Sequence, residues 1–329
     1  MISPLSGKDM TLSYDWRTIS FRKEEFEIPF QFYKCEESGE QFTTTELDEL
    51  NMKMLHHQYR SRHHIPTVQE IVDAREQYEL STARMGEILG FGANTYRLYE
   101  SGDVPGLPNA NLIKLAASPE SFKKLVEEWV TGNEKAKQDL LNRIHKIIET
   151  HEKNQFGFDF SLYLMGDPLA DEFTGYRKPD LERLTEMIVY FAHEVPSYKT
   201  KMNKLLFYAD FAQYKSAGES ISGTRYYAIP YGPVPNSFQS IYERIATDDI
   251  IDGLYEGDRL MLTGRKDRPF NSGMFSKTEL NVLGKICNEF KHTSPSEIKD
   301  ISHQEIAWQA NQESKSSIAY HYAFDLKAV

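Results

Sequence analysis

The sequence predicts an α+β fold that is mainly helical, with a small metal-free β ribbon, a helix-turn-helix bundle and a larger, mostly helical domain that holds a short β region. Three observations support this fold class. β-favouring residues dominate the N-terminal segment, apolar residues recur at helical spacing after it, and two Ser-x-x-Glu capping boxes mark helix starts near the C-terminus. The predicted segments are 1–50, 51–117, 118–178 and 179–329.

Composition limits the classes of function. The chain has 329 residues, enough for two or three domains, and a formal net charge of -11. This charge disfavours a general nucleic-acid coat but permits a small DNA-reading module, because only the local field at the contact matters. Cys35 and Cys287 are too few for a disulfide framework and fit a reducing cytoplasm. No apolar run approaches the roughly 20 residues that cross a bilayer, so we expect a cytoplasmic protein without a membrane partner.

Two short phrases in the N-terminal segment have the spacing of zinc knuckles. Ser3-Pro4-Leu5-Ser6-Gly7 matches Cys-Pro-x-Cys-Gly, and Cys35-Glu36-Glu37-Ser38-Gly39 matches Cys-x-x-Cys-Gly, with serine at three of the four cysteine positions. A structural zinc site needs four soft ligands, and a serine hydroxyl stays protonated near neutral pH. We therefore expect no metal and no cofactor. The alternative is a chance spacing of serines in a loop-rich region.

Without metal, the ribbon needs an apolar core of its own strands and support from its neighbours. The candidate core consists of its aromatic strand residues, Trp16, Phe21, Phe26, Phe30 and Phe32. The following stretch, Asn51–Ile65, holds four histidines and no acidic residue. We expect it to be an exposed, mildly basic arm that titrates near neutrality, although paired histidines also bind metals.

The segment 65–116 has the pattern of a helix-turn-helix. Ile65–Ile71 opens a first helix, residues 80–92 supply a second helix and a glycine-rich turn, and residues 93–102 supply the third helix. Ser81 is the expected cap of the second helix. In such a motif the third helix enters the major groove and presents its first residues to the bases.

Four residues of this segment are the candidate DNA contacts. Asn94 has the side chain that pairs bidentately with adenine, Arg97 reaches guanine or phosphate, and Thr95 donates to phosphate. Arg84, on the second helix, is the fourth candidate. The expected partner is operator DNA, and a homodimer is a further expectation.

The alternative is a plain helical bundle with no role in DNA binding. Residues 65–116 contain four basic and seven acidic side chains. Because affinity for DNA depends largely on neutralised phosphates, such a segment needs dimerisation or the basic arm to bind well.

Further helices are expected on both sides of a linker. Ser118 caps a helix that has Pro119 in its first turn, and apolar residues recur at helical spacing from 140 to 148. Residues 155–178 carry glycine and proline with little periodicity and are the linker candidate. Two more helices follow, then a β-rich turn region at 221–235.

With these residues in place, residues 1 to about 116 resemble the MqsA family of antitoxins. That family joins an N-terminal zinc ribbon to a helix-turn-helix that represses its own operon as a dimer. The ribbon order, the arm and the phrase Asn94-Thr95-Tyr96-Arg97-Leu98-Tyr99-Glu100 carry the resemblance. Two departures stand out: three zinc positions are lost, and Leu98 stands where the family often has arginine. Arg97, one step earlier, is rotated by about 100° around the helix.

The second half resembles the Panacea domain, also known from SocA-like antitoxins. Four phrases carry this resemblance in the same order, at 202–210, 218–226, 231–235 and 302–308. It implies the antitoxin of a type II toxin–antitoxin system, in which the Panacea domain binds and neutralises a protein toxin while the helix-turn-helix binds the promoter. A transcriptional regulator without a toxin and a protease adaptor are the alternatives.

The rigid turn Gly232-Pro233-Val234-Pro235 lies among tyrosines and suggests a partner-binding site. The toxin-binding candidates are Tyr226, Tyr231 and Pro233, because aromatic residues at a preset turn often anchor a partner protein. The same tyrosines are equally consistent with a buried position and a satisfied hydroxyl. We expect His303 to be a capping or core residue.

Enzyme signatures do not appear in the sequence. It has no Gly-rich phosphate loop, no Gly-x-Ser-x-Gly elbow and no His-Glu-x-x-His pair. Cys287 lies in a helical phrase, where cysteine is usually buried and inert. We expect a binding protein with no catalytic residues. A hydrolase site assembled from residues distant in sequence is the alternative.

Overall fold

The computed structural model describes residues 2–92, 94–131, 133–257 and 259–329, apart from the side chains of residues 155, 156 and 158. Helices account for 52% of the chain and strands for 15%, which confirms the α+β, mainly α class. No helix within the described residues is long and apolar enough to cross a membrane.

The chain divides into two compact units. Unit one consists of Met1–Leu55 together with Ser161–Val329, and unit two is His56–Phe160. The N-terminal ribbon and the C-terminal half therefore share one unit, whereas the helix-turn-helix segment lies in the other.

Unit one begins with the ribbon. Strands β1 (Thr11–Phe21) and β2 (Glu24–Lys34) form an antiparallel hairpin in continuous register, and β3 (Gln41–Phe42) pairs with β2. The expected aromatic core is only partly confirmed. Phe26 and Phe32 are buried, but Trp16 is 46% exposed, and its indole lies edge-on to His321 with 5.9 Å between ring centroids.

The ribbon makes contacts outside its own strands, as expected for a small domain. The Tyr14 hydroxyl donates to Asp325 at 2.7 Å, and its ring lies 5.1 Å from that of Phe324. On β2, the backbone of Gln31 exchanges two hydrogen bonds with the buried Asn51 side chain, at 2.8 and 3.0 Å. The Tyr14 contacts join the two sequence-distant parts of unit one.

Helix α1 (Thr45–Arg62) replaces the arm expected at 51–65. The prediction of an exposed arm is wrong because the segment has an inward face: Asn51, His57 and Arg60 are buried. The guanidinium of Arg60 donates to the backbone carbonyl of Asp103 at 2.8 Å, so its charge is directed to the protein interior.

The remaining helices of unit one surround α9. Their bounds are α8 Leu181–Glu194, α9 Lys199–Ala217, α10 Phe238–Thr247, α11 Lys277–Phe290, α12 Pro295–His303 and α13 Ile306–Gln309, with 3-10 turns at Ser272–Met274 and Tyr320–Asp325. Helix α9 is buried on nearly all sides, which is typical of a helix at the centre of a domain. Both expected capping boxes are present, Ser276 with Glu279 and Ser294 with Glu297.

Two small antiparallel sheets complete unit one. Their strands are β4 Ser197–Tyr198, β5 Tyr226–Ile229, β6 Gly232–Pro235, β7 Ile251–Glu256 and β8 Arg259–Gly264. One sheet has the order β4-β8-β7, and the other is the β5-β6 hairpin. The β-rich turn region predicted around 221–235 is thus a hairpin packed against α9.

Unit two is helical in its described residues. Its elements are α2 Val68–Glu76, α3 Thr82–Ile88, α4 Thr95–Glu100, α5 Leu107–Ala117, α6 Pro119–Glu128 and the first part of α7, Glu134–Met165. Their apolar faces form one core that includes Tyr78, Phe122 and Ile144. The linker expected at 155–178 begins later than predicted, because α7 continues to Met165 and Gly157 does not interrupt it.

Candidate DNA-reading helix and partner-binding turn

The helix-turn-helix consists of α3, a tight turn and α4. The Ser81 hydroxyl accepts a hydrogen bond from the Arg84 N–H at 3.2 Å, so the predicted cap of α3 is confirmed. Gly90 has φ +71°, a left-handed conformation that favours glycine and ends α3 sharply. Ala93, in the predicted third helix, lies outside the described residues.

Helix α4 is held in place by its inner face. The buried Tyr96 hydroxyl donates to the Ile71 carbonyl at 2.7 Å. Arg75 donates twice to the Glu100 carboxylate, at 2.6 and 3.1 Å, and a further donation to the Leu80 carbonyl at 2.8 Å holds the start of α3. These bonds fix α4 against α2 and leave its outer face to solvent. They also remove Arg75 from the charges available to DNA.

Three of the four DNA-binding candidates lie on or next to α4. Asn94 is exposed at the N-cap position and its side chain makes no capping bond. Thr95 is half-buried and Arg97 is exposed. Among the described residues no ion pair engages Arg97. Leu98, at the position where arginine is common in the MqsA family, is 45% exposed.

Arg84 lies in a different setting. Its guanidinium pairs with Glu87 at 2.9 Å and lies over the Trp129 ring at 5.2 Å from the centroid. It lines a cavity of about 250 Å³ together with Leu140 and Arg143. The structure therefore groups Arg84 with α6 and α7 side chains, and not with the exposed residues of α4.

The two knuckle phrases meet at one site. The hydroxyl of Ser6 lies 3.3 Å from the Cys35 sulfur. The glycines after the two phrases adopt φ of +70° at Gly7 and +72° at Gly39, and their N–H groups bond back to the Ser3 and Cys35 carbonyls. This return of both turns to one point argues against a chance spacing of serines.

The donors at this site do not fit zinc. Hydrogen bonds from Ser38 and Ser6 lower the pKa of the Cys35 thiol to about 6, but Cys35 is the one thiol there. The described residues contain no group of three or more His, Cys, Asp or Glu side chains placed to hold a metal ion. The four ligand positions of the two knuckle phrases are thus held by three serine hydroxyls and one thiol.

Tyr226 belongs to the interior of unit one. It is completely buried, and its hydroxyl donates to the Asp210 carboxylate at 2.7 Å. The same carboxylate accepts from the N–H groups of Ile221 and Ser222 at 2.8 Å each and from the Ser222 hydroxyl at 2.7 Å. Tyr226 is therefore a structural residue, and its assignment as a toxin contact is corrected. Burial raises the pKa of Asp210, and these hydrogen bonds oppose that effect.

The turn between β5 and β6 is anchored from beneath. Lys204, fully buried on α9, donates to the Pro233 carbonyl at 2.8 Å, and the indole of Trp308 donates to the Ile229 carbonyl at 2.8 Å. Pro233 is itself buried, which corrects its assignment as a toxin contact. Tyr231, at the tip, is 68% exposed and is the one of the three toxin-binding candidates that a partner can reach.

Gly232 makes the close approach of this turn possible. It has φ +92°, and a Cβ there would lie 2.5 Å from the Cε of Lys204 and 2.6 Å from the Ser302 hydroxyl. Burial lowers the pKa of Lys204 to about 7. The phrases at 202–210, 231–235 and 302–308 therefore meet in space.

His303 and Cys287 are placed as expected. His303 ends α12 and stacks on the Trp308 ring, with 3.8 Å between centroids and 8° between planes. Burial and the nearby Lys299 and Lys204 lower the pKa of His303. Cys287 is buried, and burial raises the pKa of its thiol.

The sequence analysis missed the roles of Lys204 and Asp210. Both lie in the phrase at 202–210, for which the sequence analysis names no site residue. The signal was present, since two charged residues in a helix that is buried all round must each find a partner.

Comparison with known proteins gives two matches. Residues 202–309, about a third of the chain, match the family described as antitoxin SocA-like, Panacea domain. A second match is to the cryptic phage CTXphi transcriptional repressor RstR of Vibrio cholerae, 32% identical over 89 residues, which are 26% of this chain and 75% of that repressor.

The chain is related to a phage transcriptional repressor, and its residues 202–309 match the Panacea domain. No solved structure matches it. The matches support an antitoxin or regulator in general. The specific likeness of residues 1–116 to the MqsA family stays a prediction.

Proposed function

We propose that this Panacea-domain protein is the antitoxin of a type II toxin–antitoxin system. It neutralises its partner toxin by direct binding through the Panacea domain and represses its own operon through the helix-turn-helix. The observation that carries the proposal is the match of residues 202–309 to antitoxin SocA-like domains. The relative that is a repressor supports the second activity.

The buried polar residues of the Panacea domain support neutralisation of the toxin by binding, without catalysis. The buried side chains of Asp210 and Lys204 hydrogen-bond to the backbone. Asp210 accepts from the loop before β5, and Lys204 donates to the turn after β5. Lys204 and Ser302 are fully enclosed, so neither is placed to meet a substrate. We propose that the chain is not an enzyme and acts by occupying the toxin.

DNA binding is proposed to depend on the exposed side of α4. Asn94 and Arg97 are the residues expected to reach base edges, with Thr95 on a phosphate. The acidic balance of unit two limits the number of phosphate contacts that one copy makes. A homodimer on a two-fold operator doubles these contacts, and we include it in the proposal.

Co-expression with the product of the neighbouring gene tests neutralisation. The full chain is the correct reagent, because the ribbon packs on the 3-10 turn at Tyr320–Asp325 within unit one. We expect the full chain to restore growth and to copurify with the toxin. Growth arrest in the presence of soluble full chain, or a neighbouring gene that is not toxic, contradicts the proposal.

Mobility shift with the upstream DNA tests the second activity. Asn94→Ala is expected to lose sequence preference, and Arg97→Ala to weaken binding by about 1–3 kcal/mol. Asn142→Ala, an exposed asparagine of α7 in the same unit, is the matched control. Unchanged binding in both α4 variants would reject α4 as the recognition helix.

The relative also favours a second candidate, a transcriptional regulator without a toxin. A gene neighbourhood without a toxic gene, together with specific operator binding, distinguishes it. The protease adaptor implied by the SocA resemblance is tested by the half-life of candidate clients with and without this protein.

A further inference from the structure

The edge strand β7 lies inside the residues that match the Panacea family. It pairs with β8 over six residue pairs without a bulge, and its other side pairs with no strand of the described residues. Two residues separate Glu256 from Arg259, so this closing pair is hydrogen-bonded. In an antiparallel pair of strands, hydrogen-bonded and non-hydrogen-bonded residue pairs alternate. The N–H and C=O groups of Gly253 and Tyr255 therefore point away from β8, to the unpaired side of β7.

This edge carries no proline, lysine or bulge, and its charged side chains are acidic. Natural edge strands are blunted by proline, lysine, bulges or a covering element, whereas β7 reads Ile-Asp-Gly-Leu-Tyr-Glu. Its residues after Ile251 are all exposed, with Leu254 at 60% and Tyr255 at 66%. In the described part of the chain, Gly253 and Tyr255 make no backbone hydrogen bond beyond the β7-β8 ladder.

The other edges are less suitable for a toxin. Strand β6 carries Pro233 and Pro235, which cannot donate, and it is buried along its length. Strand β1 lies outside residues 202–309, the part of the chain that carries the antitoxin match. Strand β7 is therefore the accessible edge within the domain to which neutralisation is assigned.

The charge around β7 indicates which kind of strand can pair with its free edge. Residues 243–259 contain six acidic and two basic side chains. Arg265 pairs with Asp249 at 3.0 Å and Asp252 at 3.2 Å, which offsets only part of this charge. A second copy of β7 would place acidic side chains against each other, whereas a strand with basic side chains is complementary.

We propose that β7 captures an extended, basic segment of the partner toxin by strand addition. Backbone hydrogen bonds at Gly253 and Tyr255 supply the register, and Leu254 and Tyr255 supply apolar contact on the two faces of the new strand. This inference rests on the proposed function and names the surface that performs it.

Proline at position 255 tests the edge directly. Tyr255→Pro removes one outward N–H, and edge strands tolerate proline. In the full chain, binding to the product of the neighbouring gene is measured by calorimetry, with thermal melting as the check of folding. We expect binding to weaken about tenfold or more. Tyr255→Ala, which keeps the N–H, is the matched control and is expected to lose about threefold or less.

Leu254→Lys is a second, independent variant, since lysine protects edges and repels a basic strand. It is expected to weaken binding without lowering the melting temperature. Hydrogen exchange of residues 251–256 is expected to slow when the complex forms. Higher salt is expected to weaken the complex.

The outcomes separate the two proposals. If the wild-type chain neither binds nor neutralises the toxin, the proposed function fails and this inference fails with it. If the wild type binds and Tyr255→Pro and Leu254→Lys bind equally well, strand addition is overturned and the proposed function stands. Equal losses in Tyr255→Ala and Tyr255→Pro would indicate side-chain docking and overturn strand addition. A wild-type dimer that Tyr255→Pro dissociates would assign the edge to a second copy.

Discussion

The knuckle site of the ribbon and the Asp210 site of the Panacea domain treat buried polar groups in opposite ways. In the knuckles, the hydroxyls of Ser3 and Ser6, which are poor zinc ligands, stand in ligand positions beside the single thiol of Cys35. In the Panacea domain, the Asp210 carboxylate accepts four hydrogen bonds from one loop and one tyrosine. In the ribbon, the contacts of Tyr14 support the fold without a complete set of metal ligands. In the Panacea domain, the Asp210 carboxylate shapes the loop before β5, so its hydrogen bonds must all be made.

Restoring the ligands gives the largest expected effect. Ser3→Cys, Ser6→Cys and Ser38→Cys together would complete four thiolates with Cys35 on knuckles that already return to one point. We expect one zinc per chain, with a dissociation constant of about 10 nM or tighter, and a higher melting temperature with zinc. Metal titration checks this, and the same variant with Cys35→Ser is the control. Wild-type affinity in the triple variant would show that the knuckles lack tetrahedral geometry.

Removing the carboxylate tests the other side of the comparison. Asp210→Ala leaves four donors without an acceptor, and we expect it to lower the free energy of unfolding by about 3–5 kcal/mol. Asp210→Asn keeps one carbonyl oxygen and is expected to lose less. Denaturant unfolding measures both. A loss below about 1 kcal/mol in Asp210→Ala would mean that the loop does not depend on this site.

Two glycines measure how tightly each hairpin turn is held. Gly232→Ala places a Cβ against Lys204 at a positive φ, and we expect it to cost about 3 kcal/mol. Gly257→Ala, in the β7-β8 turn, also has positive φ, but its Cβ would meet no atom of the described residues within 4 Å. We expect about 1 kcal/mol there. Equal costs in thermal or denaturant unfolding would contradict the anchoring of the β5-β6 turn.

Lys204 gives the smallest and most specific effect. Burial lowers its pKa to about 7, below the unfolded value near 10.4, so above pH 7 the unfolded chain binds more protons at this group. Stability from Lys204 is therefore expected to rise with pH between about 7 and 10, by about 1 kcal/mol from pH 7 to pH 8. Lys204→Met is expected to remove this slope.

Lys285→Met, at an exposed lysine of α11, is the control for that pH dependence. Unfolding measured in denaturant at several pH values separates the two variants. An identical slope in the wild type and in Lys204→Met would show that Lys204 does not titrate in this window.

The starts and ends of helices could be predicted from the sequence, because capping interactions act within a few residues of the chain. Ser81 caps α3, Gly90 ends it, and the boxes at Ser276 and Ser294 start their helices as predicted. The spacing of the knuckle phrases also predicted a site that the fold assembles. Each of these features is decided by backbone geometry and by hydrogen bonds to near neighbours in the chain.

Which of the site residues are exposed could not be predicted from the sequence. Tyr226 and Tyr231 are five positions apart and both lie within three residues of a glycine, yet one is buried and the other is at a tip. The difference depends on Asp210, which is distant in the chain from both. The segment at 51–65 likewise has the composition of an exposed arm, and its burial depends on β2 and on the backbone near Asp103.

The sequence by itself determined the helix-turn-helix, the knuckle turns, the capped helices and the antitoxin-like phrases, because caps, glycine turns and apolar periodicity are local properties. Only the tertiary structure decided that Lys204 and Asp210 serve the backbone, that Pro233 and Tyr226 are interior, and that β7 is an open edge. These properties depend on which distant segments exclude water from a side chain or leave a strand unpaired, and burial and pairing of this kind are set by the packed fold.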